Sequence, residues 1–186
     1  MTTKITPITP AEYRRIPWKN GGGISTDIAT DAATGGEVWR FGRTPIPVPG
    51  PFSDYTGYDR VQVLVAGRGM VLDGPDGEID LRQPFVVVRY KGELPLVSRL
   101  EAGPVEVVNL IGLRAEVKVD LQVLDAGQSL SLPKGLHFAY APSSAARVAD
   151  RDLPGDHSLR IDAAGPTMLA CGAGRVLVAS IVTGII

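Results

Sequence analysis

The sequence holds a single cysteine, Cys171, and two histidines, His137 and His157, among 186 residues. One cysteine excludes an intrachain disulfide, and with no CxxC pair a reducing compartment is the natural setting. Common zinc and iron sites draw on two or three histidines, often a few residues apart. His137 and His157 are 20 residues apart and Cys171 lies 14 further on. That spacing lends no support to a metal site, and neither a metal nor another cofactor is expected. His137, within Leu136-His137-Phe138, reads as a strand residue, and His157 as a loop residue.

An excess of charge of one sign is also missing, with 19 basic against 20 acidic residues. No Lys/Arg run stands out, which argues against a nucleic-acid partner, whose affinity rests on phosphate neutralisation. No uninterrupted apolar run approaches the ~18 residues of a membrane span. Residues Met1 to Pro10 lack the apolar core of a signal peptide. A soluble cytoplasmic protein is the expectation.

What the chain does have is 22 glycines and 15 prolines, about a fifth of its length, against a usual ~12%. With 44% hydrophobic residues it can still build a core, so the excess marks tight turns rather than disorder. Many short segments punctuated by turns point to an all-β domain. Thr9, Pro10 and Glu12 form the one good helix start, a capping box with proline at the first helical position. Ile16-Pro17 stops it, so a helix over 9–15 has two turns at most.

Strand signals follow at Ile24 to Ala29, Val38 to Arg43 and Val61 to Ala66, then at Met70 to Asp73, Ile79 to Leu81 and Phe85 to Arg89. Leu94 to Leu100 and Val105 to Ile111 continue the series. Residues 115–124 alternate apolar and polar with period two, the mark of a half-buried strand. Ser129 to Leu132, Leu136 to Ala141, Ala146 to Ala149, Leu159 to Asp162, Met168 to Cys171 and Arg175 to Val182 repeat the style. Twelve to fourteen strands about ten residues apart fit a sandwich, jelly roll or barrel. Thr44 to Phe52, rich in proline, reads as extended and irregular. A Gly-x-Gly turn beside an apolar strand occurs at Gly67-Arg68-Gly69 and again at Gly172-Ala173-Gly174, a faint sign of two similar lobes.

Two segments carry chemistry. In Trp18-Lys19-Asn20-Gly21-Gly22-Gly23-Ile24-Ser25-Thr26-Asp27-Ile28, three glycines allow backbone N–H groups to approach a ligand closely. Asn20 adds an amide, and Ser25 and Thr26 add hydroxyls. The structural alternative is a tight entry turn with Trp18 as its anchor. In the second segment Arg40 lies between Trp39 and Phe41 and so faces away from both. Gly50 to Arg60 then brings Ser53, Asp59 and Arg60. A guanidinium binds a carboxylate through two parallel hydrogen bonds, and the alternative is an Asp–Arg bridge that pins the loop.

These residues resemble the HutD/Ves family. The first segment is similar to its W-[KR]-N-G-G-G-x-[ST]-x-E-[IL] signature, and Gly50-Pro51-Phe52-Ser53-Asp54-Tyr55-Thr56-Gly57-Tyr58-Asp59-Arg60 to its G-P-F-S-x-[FY]-x-G-x-[DE]-R signature. Trp39-Arg40 between them also matches, and Pro84-Phe85 and Asn109 sit where the family has its Pro-Phe and Asp-x-Asn elements. The likeness covers residues 10–115 well and the last 70 loosely. It implies an all-β, cupin-like (bicupin) β-barrel or jelly roll, here with one short N-terminal helix. Residues 1–186 would form a single such unit, with two β lobes near 1–112 and 113–186.

The resemblance further implies a non-enzymatic protein with a regulatory role in histidine utilisation or related amino-acid metabolism. It would bind a small carboxylate such as N-formylglutamate or urocanate. The motif positions suited to binding are Asn20, Gly21, Ser25, Arg40, Ser53 and Arg60. The chain departs from the family at Asp27, where a Glu is usual, at Val107, where an Asp is usual, and after Phe85, where the pattern is blurred. The rival reading is a metal-independent enzyme on a small amino-acid derivative, with Asp27, Asp59 or His137 as acid/base and Arg60 as clamp. An exposed sheet edge would make a homodimer plausible, and the apolar run from Val178 is expected in the core.

Overall fold

The computed structural model describes residues 2–18, 21–33 and 36–183. Among them every regular element is a β-strand except one 3-10 turn, Pro10–Glu12. That turn is all that forms of the helix expected over 9–15. The Glu12 carboxylate does accept from the Thr9 N–H at 2.8 Å and from its hydroxyl at 3.0 Å. Yet one turn cannot offset the cost of helix nucleation, and the residue before Pro17 is pushed toward extended geometry. The chain goes straight into the strand Arg14–Pro17.

The strands fall into two compact units. One spans Arg14–Glu116, and the other joins the residues up to Tyr13 with the chain from Val117 onward. Each consists of two open antiparallel sheets, so among the described residues the hydrogen-bonded ring of a closed barrel is not formed. In the unit from Val117 onward, a five-stranded sheet runs in the order Lys4–Ile8, Ser158–Ala163, Gly135–Tyr140, Arg175–Thr183, Val117–Asp125. Its companion has the order Ser129–Leu132, Thr167–Ala173, Ala146–Val148, Arg151–Leu153. Leu132, Val148, Leu153, Leu159, Ile161, Leu169, Cys171 and Val176 form the core of this unit. Arg175–Thr183 is an inner strand with Val176 to Ala179 buried, as its apolar run requires.

The Arg14–Glu116 unit has a six-stranded sheet in the order Arg14–Pro17, Ile24–Ala33, Gly36–Ile46, Val105–Leu113, Tyr58–Ala66, Val87–Lys91. A four-stranded sheet runs Gly50–Pro51, Val97–Leu100, Met70–Gly74, Gly77–Leu81. Ile46, Leu64, Met70, Leu72, Leu81, Leu96, Val105 and Val107 pack as its core. Most expected strands are present but longer. The strand expected over 38–43 reaches Ile46 and takes in Pro45. Pairing to Ile24–Ala33 ends at the Thr26–Arg43 register, so Pro45 sits where the strand has one neighbour, the position a proline tolerates. The strand expected from Phe85 starts at Val87, because Phe85 turns the chain with φ of 64° while its N–H donates to the Leu64 carbonyl at 2.9 Å.

The two Gly-x-Gly turns occupy different joints. Gly67–Gly69 leads out of the six-stranded sheet into the four-stranded one, whereas Gly172–Gly174 leads from the four-stranded sheet into the five-stranded one. Both bend the chain through a positive φ, 99° at Gly67 and 71° at Gly174.

Candidate functional site

A cavity of about 600 Å³, counting its open mouth, lies within the Arg14–Glu116 unit. Alternation along neighbouring strands builds its floor. Ser25 and Asp27 come from one strand, and Arg40, Gly42, Thr44 and Ile46 from the next. Val107, Asn109 and Ile111 follow, then Arg60 and Gln62. Within each set the residues are two apart, so they share one face of the sheet. The same face is apolar further along, where Leu64 and Val105 enter the core. Trp18, Phe52, Ser53 and Tyr55 close the sides from connecting segments.

Register fixes the lateral order. Asp27, Gly42, Asn109 and Gln62 are successive cross-strand partners in one row. Arg40, Ile111 and Arg60 form the next row. Two strand spacings put Arg40 and Arg60 about 10 Å apart along it. Gly42 has no side chain, so the middle of the first row stays open.

The two arginines are in different electrostatic states. Arg40 Nε donates to Asp27 Oδ1 at 2.6 Å and Nη1 donates to the Tyr55 hydroxyl at 3.2 Å. Both members of this ion pair are shielded, Arg40 at 11% and Asp27 at 4% exposure. Burial raises the Asp27 carboxyl above its ordinary value, with the Arg40 charge opposing the shift. Burial works to lower the Arg40 value, but Asp27, with smaller contributions from Tyr55 and Glu37, opposes it and the net shift is upward.

Arg60 is 6% exposed and has no carboxylate within ion-pair distance among the described residues. Of its five N–H donors, Nη2 reaches Asn109 Oδ1 at 3.3 Å, while Nε is buried without a partner. Its guanidinium carbon lies over the rings of Phe52, Tyr55 and Tyr90 at 5.2, 5.3 and 5.3 Å. Burial raises the Tyr55 and Tyr90 phenols above their ordinary value, with the arginine charges opposing the shift. The Tyr90 hydroxyl donates to Gln62 Oε1 at 2.9 Å. Gln62 is fully buried and its Nε2 has no partner.

Four of the expected site residues, Ser25, Arg40, Ser53 and Arg60, line this one cavity. Ser25 Oγ is 2.9 Å from Thr44 Oγ1. Gly21 is not a lining residue. Its N–H donates to the Trp18 carbonyl at 3.0 Å, and the Gly23 carbonyl accepts from the Trp18 N–H at 2.9 Å. The described part of the glycine loop therefore folds back on Trp18, and it is the indole that lines the cavity. Asn20 lies outside the described residues.

The acid/base candidates are dispersed. Asp59 accepts from Arg114 Nε at 2.7 Å rather than bridging to Arg60. His137 belongs to the unit from Val117 onward, with Nδ1 2.8 Å from Ser180 Oγ and Nε2 2.9 Å from the Pro133 carbonyl. Among the described residues no three His, Cys, Asp or Glu side chains converge as a metal site requires.

Gln62, Thr44, Tyr55 and Gly42 escaped sequence reasoning. The period-two rule applied outward from Arg40 and Arg60 reaches Gly42, Thr44 and Gln62, so the signal was present once the face was known. Asn109 was recognisable only by resemblance.

Fold and site together define a cupin-like β-protein whose inner sheet face carries a buried guanidinium beside a polar cavity. The same β architecture occurs in a bacterial pirin from Escherichia coli solved in complex with nickel(II). That protein is 6% identical, has a TM-score of 0.65, and the match covers 98% of this chain and 100% of the other. The HutD family model matches residues 10–178, and the chain belongs to that family. It is 32% identical over 142 residues to an uncharacterised 21.2 kDa protein of Pseudomonas putida from the hutC 3' region, covering 74% of each. HutD of Pseudomonas fluorescens SBW25, solved in a formate condition, superimposes with a TM-score of 0.85 at 29% identity, over 97% of this chain and all of that one. The family is thereby linked to the histidine-utilisation locus.

Proposed function

We propose that this protein binds a small carboxylate anion in the cavity of the Arg14–Glu116 unit, without catalysing its conversion. Binding would serve regulation of histidine utilisation or related amino-acid metabolism. The observation that carries the reading is Arg60, a cation 6% exposed with no acidic partner among the described residues. Removing a cation from water costs several kcal/mol. Three aromatic faces at about 1 kcal/mol each and one hydrogen bond to a neutral amide recover part of that. A ligand carboxylate would complete the guanidinium's bonding with paired, charge-assisted hydrogen bonds. Asn109, Thr44 and Ser25 offer amide and hydroxyl groups for the rest of such a ligand. The histidine-utilisation locus to which the family is linked agrees with the regulatory part of this reading.

Calorimetric titration of the purified protein with urocanate and with N-formylglutamate tests it, with Arg60→Ala and Asp59→Asn as variants. Wild type should bind at least one of them. Arg60→Ala should lose at least about tenfold in affinity, and Asp59→Asn, which faces Arg114, should lose none. Binding of neither compound, or equal binding by Arg60→Ala, would sink the proposal.

A further inference from the structure

The geometry points to a charge selectivity: we infer that the cavity takes monocarboxylates in preference to dicarboxylates, because Asp27 already occupies Arg40. This rests on the carboxylate-binding reading above and specifies its ligand class. Among the described residues three charged side chains line the cavity, namely Asp27, Arg40 and Arg60. They sum to one positive charge. Further out, Arg14 acts on Asp27 and Glu37 acts on Arg40, one of each sign, so the balance does not change.

One carboxylate on Arg60 makes the lining neutral. The remaining cation among the described lining residues is Arg40, on the second strand along the same row, and a second carboxylate on the ligand would turn to it. Arg40 is held by Asp27 at 2.6 Å. Displacing Asp27 would strand its carboxylate at 4% exposure without a counter-charge, which is the costly way to break a buried pair. Leaving the ion pair intact would strand the second carboxylate of the ligand instead. In either case one anion in a shielded site is uncompensated. Asp27 therefore stands in the cavity as the built-in second carboxylate.

The test compares n-butyrate with succinate, four-carbon acids that differ in one carboxylate, by calorimetry at neutral pH. Wild type should bind butyrate at least about tenfold more tightly. Asp27→Asn keeps the side-chain shape and an oxygen acceptor for Arg40, and exposes a second cation in the row. It should shift the butyrate-to-succinate preference toward succinate by at least about tenfold. Asp27→Ser changes the charge in the same way and serves should the asparagine variant not fold. If wild type binds succinate as tightly as butyrate, or a folded variant keeps the wild-type ratio, the selectivity inference is wrong while carboxylate binding stands. If wild type binds neither these acids nor those of the previous section, both readings fall. Of the two compounds titrated there, the count favours urocanate, which has one carboxylate.

Discussion

The Tyr90 hydroxyl donates to Gln62 Oε1 at 2.9 Å, and the face of the same ring meets the Arg60 guanidinium at 5.3 Å. One side chain thus fixes which end of the Gln62 amide is acceptor and which is donor, and also forms part of the wall around the uncompensated cation. Tyr90 lies on the outer strand Val87–Lys91, paired to the strand that carries Arg60 and Gln62.

Tyr90→Phe separates the two roles. The ring over Arg60 remains, but Gln62, fully buried, loses the partner of its oxygen. An unsatisfied buried acceptor costs about 1–3 kcal/mol, so urea denaturation should show a loss of about 1 kcal/mol or more. A change within about 0.3 kcal/mol would mean that the hydroxyl is not holding the amide.

Gly23→Ala probes the wall made by Trp18. A Cβ at Gly23 would sit 2.8 Å from two carbons of the Trp18 ring, closer than van der Waals contact allows. The indole must move away from the glycine loop. Trp39, at 4% exposure, stays in place, so a red shift in tryptophan emission reports on Trp18. Affinity for a bound carboxylate should fall a few-fold with it. Unchanged emission and unchanged affinity together would show that the loop does not set the position of the ring.

His137 makes a prediction about pH. Burial lowers its pKa from the ordinary 6.5, with the hydrogen bond to Pro133 opposing. Below about pH 6.5 the unfolded chain takes up a proton at this histidine that the folded chain does not yet hold. Stability therefore falls as pH drops from 6.5 toward the folded pKa. His137→Asn should remove this component and flatten the dependence between about pH 7 and 5. If the slope over that interval matches wild type, His137 is not its source.

Much of the fold was legible because its signals are local. Period-two alternation at Val117–Asp125, the Gly67–Gly69 turn and the apolar run of Arg175–Thr183 each follow from contacts within a few residues of the chain. Two strands absent from the sequence reading share a cause. Lys4–Ile8 and Arg14–Pro17 are strands with weak apolar patterns. They exist because Ser158–Ala163 and Ile24–Ala33 offer them free edges, which is a non-local fact. The helix at 9–15 failed because its capping signal was genuine while its length was too short to nucleate.

In the candidate site, the residue types and their spacing along each strand were determined by the sequence alone: two arginines on alternating positions, a serine and an aspartate past the glycine loop, and a loop with Ser53 and Tyr55. The tertiary structure decided which arginine is free. Asp59 is adjacent to Arg60 in the chain, yet neighbours in a strand point to opposite faces, and Asp59 turns to Arg114. Asp27 is 13 residues from Arg40, yet antiparallel pairing puts the two on one face, one strand apart. Charge pairing is a matter of distance through space and of shielding from water. Strand register sets both, and that register is held by the whole sheet rather than by any segment of it.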